Sequence, residues 1–294
     1  MRSSPAATAR RERGAPSRPV RWGAPPLPGD HGAYAMLGVP LALGYLSALL
    51  RPGTPPDLPA VGWALFAVAL LAFFAAGEPG AAAFKPRAPA ATRARARRWL
   101  AVDLATGLLA TAPLLLVWQR WALLAFGLPA AALLGAFLLA VRRRRQRSLA
   151  IRLPGIAALT LSGPAGYYVA TGRLDAFAWG LWAVCAVYIA GTVFNVRAWF
   201  EAHRQIQAGI AHPGLSGGLQ AAIAAYTGAS VVILGAAILF GALPGAVVLA
   251  FVPAAARLGW SVLAPPGQLP IKQIGLIEFG QSFLFAGLVL WAAA

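Results

Sequence analysis

Long apolar runs, broken by short polar or arginine-rich stretches, recur along the whole chain. They occupy 33–50, 60–77, 99–118, 121–141, 149–170, 174–195, 218–240, 243–264 and 275–294. A bilayer hydrocarbon core of roughly 30 Å takes about 20 helical residues, so each run predicts a transmembrane helix. The runs are continuous and lack the period-two alternation of a membrane barrel strand. A helix also satisfies its own backbone polar groups, which lipid cannot do. The expected fold class is therefore all-α, a polytopic transmembrane helix bundle of about nine spans. Only Gln119 and Arg120 separate the third run from the fourth. Residues 1–29, rich in Arg, Ala and Pro, read as a disordered basic cytoplasmic tail. Residues 30–294 read as a single transmembrane helical domain. The first run is long and far from the start, which excludes a cleavable signal peptide.

Composition agrees with this class. Hydrophobic residues make up 59% of the chain and charged residues 11%, more apolar surface than a soluble domain of this size could hide. The distribution of charge then sets an orientation. With the N-terminus inside, residues 1–30 and the loops after the even-numbered spans, together with their flanks, carry 22 of the 25 basic residues. The opposite side keeps Arg51, Arg120 and Arg173. The positive-inside rule then predicts a cytoplasmic N-terminus and, after an odd number of spans, an external C-terminus. A multi-pass protein of a cytoplasmic membrane is expected. The net charge of +17 follows from topology and anionic lipid headgroups, so no nucleic acid is expected as a partner. Cys185 is the single cysteine, so an intramolecular disulfide is excluded.

Ionisable residues at membrane depth are costly and often mark a cavity or a pathway. His31 opens the first run, Glu78 closes the second, and Asp103 lies just inside the third. Arg197 and Glu201 follow the sixth, Arg257 lies in the eighth, and Glu278 starts the ninth. With the orientation above, all fall in the cytoplasmic halves. Polar residues recur there at helical spacing: Tyr188, Thr192, Asn195 and Trp199; Trp99, Asp103 and Thr106; Gln220, Thr227 and Ser230; Glu278, Gln281 and Ser282. These stripes predict a cytoplasm-facing polar cavity in which Asp103, Asn195 and Glu278 meet. Interhelical hydrogen bonding explains the serines and threonines equally well, but carboxylates are expensive glue.

Two loops carry candidate chemistry. Residues 78–87 join Glu78 to Lys85 and Arg87, cations suited to phosphate. Residues 195–204 hold Arg197 and Glu201 four apart, close enough on a helix to pair. Lys85, Arg87 and Arg197 are expected to recognise a phosphate or diphosphate headgroup, with Glu78 and Glu201 positioning them or holding a metal. His203 and His212 read as loop residues, since no metal-binding spacing connects them with His31.

Residues 30–37, Asp-His-Gly-Ala-Tyr-Ala-Met-Leu, followed by Pro40 and Gly44, resemble the opening of the YwiC-like family of bacterial membrane proteins. Lys85-Pro86-Arg87 and the stretch 270–278, which ends in Glu278, are also similar to that family. The resemblance implies a membrane protein without an established activity. In architecture the chain also resembles the UbiA-type prenyltransferases, whose aspartate-rich loops after the second and sixth spans hold Mg²⁺ against a prenyl diphosphate. Here each loop offers one carboxylate, Glu78 or Glu201, a thin Mg²⁺ site. Three readings stay open: a protein binding an anionic, phosphate-bearing amphiphile besides ordinary membrane lipids; a divergent prenyl-diphosphate transferase using Mg²⁺; and a non-catalytic accessory or assembly protein.

Overall fold

A computed structural model of the protein describes residues 31–51, 57–85, 88–142, 149–263 and 269–294. The expected N-terminal tail and Arg87 lie outside these. Among the described residues every regular element is helical. The elements are α1 (His31–Leu50), α2 (Ala60–Ala75), α3 (Gly77–Phe84), α4 (Ala90–Leu116), α5 (Leu123–Arg142) and α6 (Leu149–Thr160). They continue with α7 (Ser162–Thr171), α8 (Ala176–Gln207), α9 (Gly217–Leu239), the 3-10 helix η1 (Gly245–Phe251), α10 (Val252–Leu263) and α11 (Ile271–Ala293).

Three apolar runs are each divided into two consecutive helical pieces. The second run breaks between Ala76 and Gly77, where Pro79 falls in the first turn of α3, a position a proline tolerates. The fifth breaks at Leu161, beside Gly163 and Pro164. The eighth begins as a 3-10 turn before becoming α10. With these pairs joined, the described residues form one rod for each expected span. Seven of them are long and apolar enough to cross a membrane: Ala60–Phe84, Ala90–Leu116, Leu123–Ala140, Ala176–Gln207, Gly217–Leu239, Gly245–Leu263 and Lys272–Ala293. The first and fifth rods are α1, with an apolar part of Tyr34–Leu50, and the broken α6–α7.

Two helices overrun the expected bounds. α4 begins at Ala90, nine residues before the expected start, and carries Arg93, Arg95, Arg97 and Arg98 in its opening turns. α8 has 32 residues, about 48 Å at the usual helical rise, and so projects well past a 30 Å core.

The core sits around α7 and α8. All ten residues of α7 are buried. In its most apolar stretch α8 is 67% buried, against 11–22% for the other spanning helices. α1 lies directly on α7. A Cβ on Gly44 would collide with the Gly163 carbonyl oxygen, and one on Gly166 would come within 3.1 Å of the Leu41 carbonyl oxygen. Small residues at such contacts let helix backbones approach in a membrane, where no hydrophobic effect drives association. Ser162 Oγ donates to the Leu37 carbonyl at 3.0 Å across the same interface. One apolar cluster joins α1, α7, α8 and α11 through Leu43, Tyr167, Leu181 and Phe285. A second joins α1, α2, α4, α5 and α7 through Leu41, Phe66, Leu114, Phe126 and Val169.

Candidate functional site

A charge inside a membrane needs a partner. The α8, α10 and α11 group supplies one. Arg257 on α10 and Glu278 on α11 form an ion pair, Nη2 to Oε1, of 2.8 Å. Glu278 is the eighth residue of α11, about 10 Å along the helix from its start, and falls inside the candidate span Lys272–Ala293. Arg257 Nη1 also donates to Gln281 Oε1 at 2.8 Å. The guanidinium is thus divided between two acceptors and does not clasp the carboxylate in the parallel fork that makes such pairs strong. Buried Oε2 has no donor among the described residues. One turn on, Ser282 Oγ donates to the Glu278 carbonyl at 2.8 Å. Tyr188 on α8 donates to Ser282 Oγ at 3.3 Å, and its ring stacks on Phe285 at 3.8 Å.

The polar stripe on α8 therefore meets the stripe on α11. At its far end Trp199 Nε1 donates to the Leu269 carbonyl just before α11, at 2.9 Å. Asn195 lies between these two contacts, 5% exposed, and its Oδ1 has no donor among the described residues. Asp103 is placed elsewhere: it is half-buried on α4, which packs on α2 and α3.

The projecting end of α8 is built from local hydrogen bonds. Glu201 Oε1 accepts the Ser216 N–H at 2.7 Å, which fastens a carboxylate to the N-terminal end of α9, where the helix dipole favours it. Gln205 grips Gly214 twice, accepting its N–H at 2.9 Å and donating to its carbonyl at 2.6 Å. Trp199 stacks on His203 at 4.8 Å.

α6 and α9 both pack on α8 and leave an apolar groove of about 490 Å³ between them. Leu153, Ile156, Ala190, Phe194, Ala229 and Ile233 line it. Alanines at 186, 190, 222, 225 and 229 keep it open, since no bulky side chain fills the gap. Phe194 marks its arginine-rich end, and Arg197 follows one helical turn later on the same side of α8. Glu78 and Lys85 are exposed at the two ends of α3. α3 packs on α4 and α5, away from the α8–α10–α11 group. His31 begins α1, but its side chain, like Arg87, falls outside the described residues. Among the described residues no three His, Cys, Asp or Glu side chains come together in a way that could hold a metal ion.

Opposite the arginine-rich end lies a polar lattice not anticipated from the stripes. Arg51, at the end of α1, donates to Asp175 Oδ2 at 3.0 Å and to the Tyr167 hydroxyl at 3.1 Å, and lies 4.4 Å over the Phe177 ring. Asp175 in turn caps α8 by accepting the Ala178 N–H at 3.0 Å. Beside it Arg120 pairs with Asp57 and donates to the Val169 carbonyl at 3.3 Å, at the C-terminal end of α7. Gly172, at φ 68°, leaves room there that a side chain would fill, because its Cβ would stand 2.7 Å from Arg120 Nη1. The signal in the sequence was the pairing of few cations with few acids: three lone arginines on that side, and Asp57 and Asp175 in the same loops.

Residues 27–167 match the family model described as YwiC-like protein. Over that stretch the chain is similar to the YwiC-like family. The comparison with curated proteins and the comparison with solved structures each give no match. The YwiC-like segment runs from before α1 into α7 and so contains the α1–α7 glycine contact, Glu78, Lys85 and Asp103. The Arg257–Glu278 pair, Asn195 and the groove along α8 lie mostly or wholly beyond it.

Proposed function

We propose that this multi-pass membrane protein binds a phosphate-bearing amphiphile from the arginine-rich side of the bilayer. The chain of the ligand lies in the α6–α8–α9 groove, and its headgroup meets Arg197 at the groove's end. The observation that carries this reading is the continuity of one α8 face, from the apolar wall at Ala190 and Phe194 to a guanidinium one turn later. Lys85, at the end of α3, adds to the positive charge of the same side but stands apart from the groove, since α3 packs on α4 and α5. The arginine-rich side is the cytoplasmic face of a bacterial inner membrane, as the positive-inside rule requires. Transfer chemistry on a prenyl diphosphate gains no support: Glu201 is engaged by the Ser216 N–H, and Glu78 sits on a helix that packs elsewhere.

The test is binding of farnesyl phosphate to the purified full-length protein in nanodiscs. Arg197→Ala weakens binding by about tenfold or more, as expected for loss of charge-assisted hydrogen bonds of roughly 1.5–3 kcal/mol. Ala190→Phe fills the groove and removes binding while Arg197 remains. Affinity unchanged by both substitutions, or absent from the native protein, overturns the reading.

A further inference from the structure

The break between α6 and α7 frees a main-chain acceptor inside the bundle. At that break the Leu161 N–H turns back to the Ala158 carbonyl at 3.1 Å, and not to Ala157 as an unbroken helix would require. The Ala157 carbonyl instead accepts from two side chains, the Thr160 hydroxyl at 3.0 Å and the Trp182 indole N–H at 2.9 Å. Trp182 belongs to α8, so its ring bridges α8 to α6. The ring also meets Trp179 edge-on, with centroids 6.2 Å apart. Trp182 lies about 10 Å along α8 from Asp175, below the polar lattice at that end and deeper than the headgroup level where membrane tryptophans gather. Its position is not that of an interfacial anchor.

The groove between α6, α8 and α9 stops at the level of this ring on all three helices. On α6 the last lining residue is Ala157, whose carbonyl holds Trp182. On α8 the lining begins with Ala186, one turn after Trp182. On α9 it ends at Ile233. Tyr226 donates to the Val187 carbonyl at 2.8 Å, and Ile233 lies two turns further along antiparallel α9, level with the turn of α8 that carries Trp182. From Ala222 to Ile233 the groove is about 16 Å long. An extended carbon chain advances about 1.3 Å per bond, so that length takes about twelve carbons.

We propose that Trp182 is the end stop of the groove and limits its ligand to a chain of about twelve main-chain carbons. This rests on the reading of the groove as the site of a phosphate-bearing amphiphile. With its phosphate at the Arg197 end, such a chain reaches the indole and goes no further. A longer chain must bend out of the groove into the bilayer, where it gains no contact with the protein. The stop is firm because the indole is tied to a main-chain carbonyl, and a packed ring so fixed does not swing aside for extra methylenes. The ligand class is thus a short single-chain phosphate ester, and not a long-chain lipid of the bilayer itself.

Dodecyl and hexadecyl phosphate differ by about four carbons, the length of one helical turn of about 5.4 Å. Full-length protein in phosphatidylcholine nanodiscs is titrated with each, and affinities are expressed per ligand in the bilayer. The native protein should bind dodecyl phosphate about tenfold more tightly than hexadecyl phosphate. Trp182→Ala opens one further turn, so that preference should vanish or reverse. Comparing the two ratios cancels each chain's own affinity for lipid. A ratio that Trp182→Ala leaves unchanged, with binding still lost in Arg197→Ala and Ala190→Phe, overturns the stop and leaves the proposed function standing. Absence of saturable binding by the native protein overturns both. If Trp182→Ala does not fold, the native protein decides: dodecyl phosphate with a diazirine at its chain end should label Trp182 or the adjoining Ala157 and Ile233. Labelling elsewhere in the bundle overturns the proposal.

Discussion

At the scale of single residues, the closest tolerances are at backbone contacts. Gly44 touches the Gly163 carbonyl so closely that no side chain fits, whereas nothing lies within 4 Å of a Cβ placed on Gly38 one and a half turns earlier. Gly44→Leu must push α1 off α7 and breaks the most extensive helix contact in the bundle. The expected loss is at least the roughly 1–3 kcal/mol of an overpacked core, read as a lowered melting temperature in detergent, while Gly38→Ala leaves it unchanged. Asp175 combines a helix cap with an ion pair. Arg51 and Asp175 are 33% and 36% exposed, so solvent screens the pair and the cap dominates. Asp175→Ala should therefore cost about 1 kcal/mol, and Asp175→Asn, which can still cap, should recover most of it. Chemical-denaturant unfolding of the three proteins checks the order.

At the scale of elements, the connections are held by short, specific devices. The α4–α5 turn reverses two spanning helices in a few residues because Gln119 adopts φ 54°, the left-handed region that a side chain disfavours. Gln119→Gly should be neutral or stabilising by up to about 1 kcal/mol, and Gln119→Val destabilising, both visible in thermal melts. At the other end, the projecting turn of α8 depends on Glu201 and Gln205. Glu201→Ala frees the Ser216 N–H and the start of α9. The 208–215 connection should then be cut at least several-fold faster by added protease, while the bundle remains intact. An unchanged cleavage rate would show that Gln205 alone holds the turn.

At the scale of the whole molecule, the two ends of the bundle differ in kind. One end ties its few charges into the Arg51–Asp175 and Arg120–Asp57 pairs, which lock α1, α4, α7 and α8 together. The other carries arginines in excess of acids, as a cytoplasmic face does. Reporter fusions at Arg147 and after Ala294 should report opposite sides of the membrane, with Arg147 inside. Both fusions on one side would contradict the odd number of spans. The internal pair Arg257–Glu278 belongs to neither end. Removing one partner of such a buried pair typically costs about 3–5 kcal/mol, so Arg257→Ala should lower expression sharply, and Arg257→Ala with Glu278→Ala should recover part of it.

The sequence by itself determined the class and the approximate spans, because a run of twenty apolar residues has one stable solution in lipid. It also indicated that Tyr188, Asn195 and Trp199 share a face with work to do, since helical spacing is local. It did not determine where the helices bend or how far they project. The overrun of α8 past residue 195 rests on the grip of Glu201 and Gln205 on the following loop. Partnership across the bundle was equally hidden. Asp103, Asn195 and Glu278 look alike as polar residues in the arginine-rich halves of their runs, yet α4 packs with α2 and α3 while α8 meets α11. Which stripe faces which is decided by close backbone approach, such as Gly44 on Gly163, and by the few ion pairs at helix ends. Those contacts join residues 63 to 124 positions apart, and no local pattern in the chain records them.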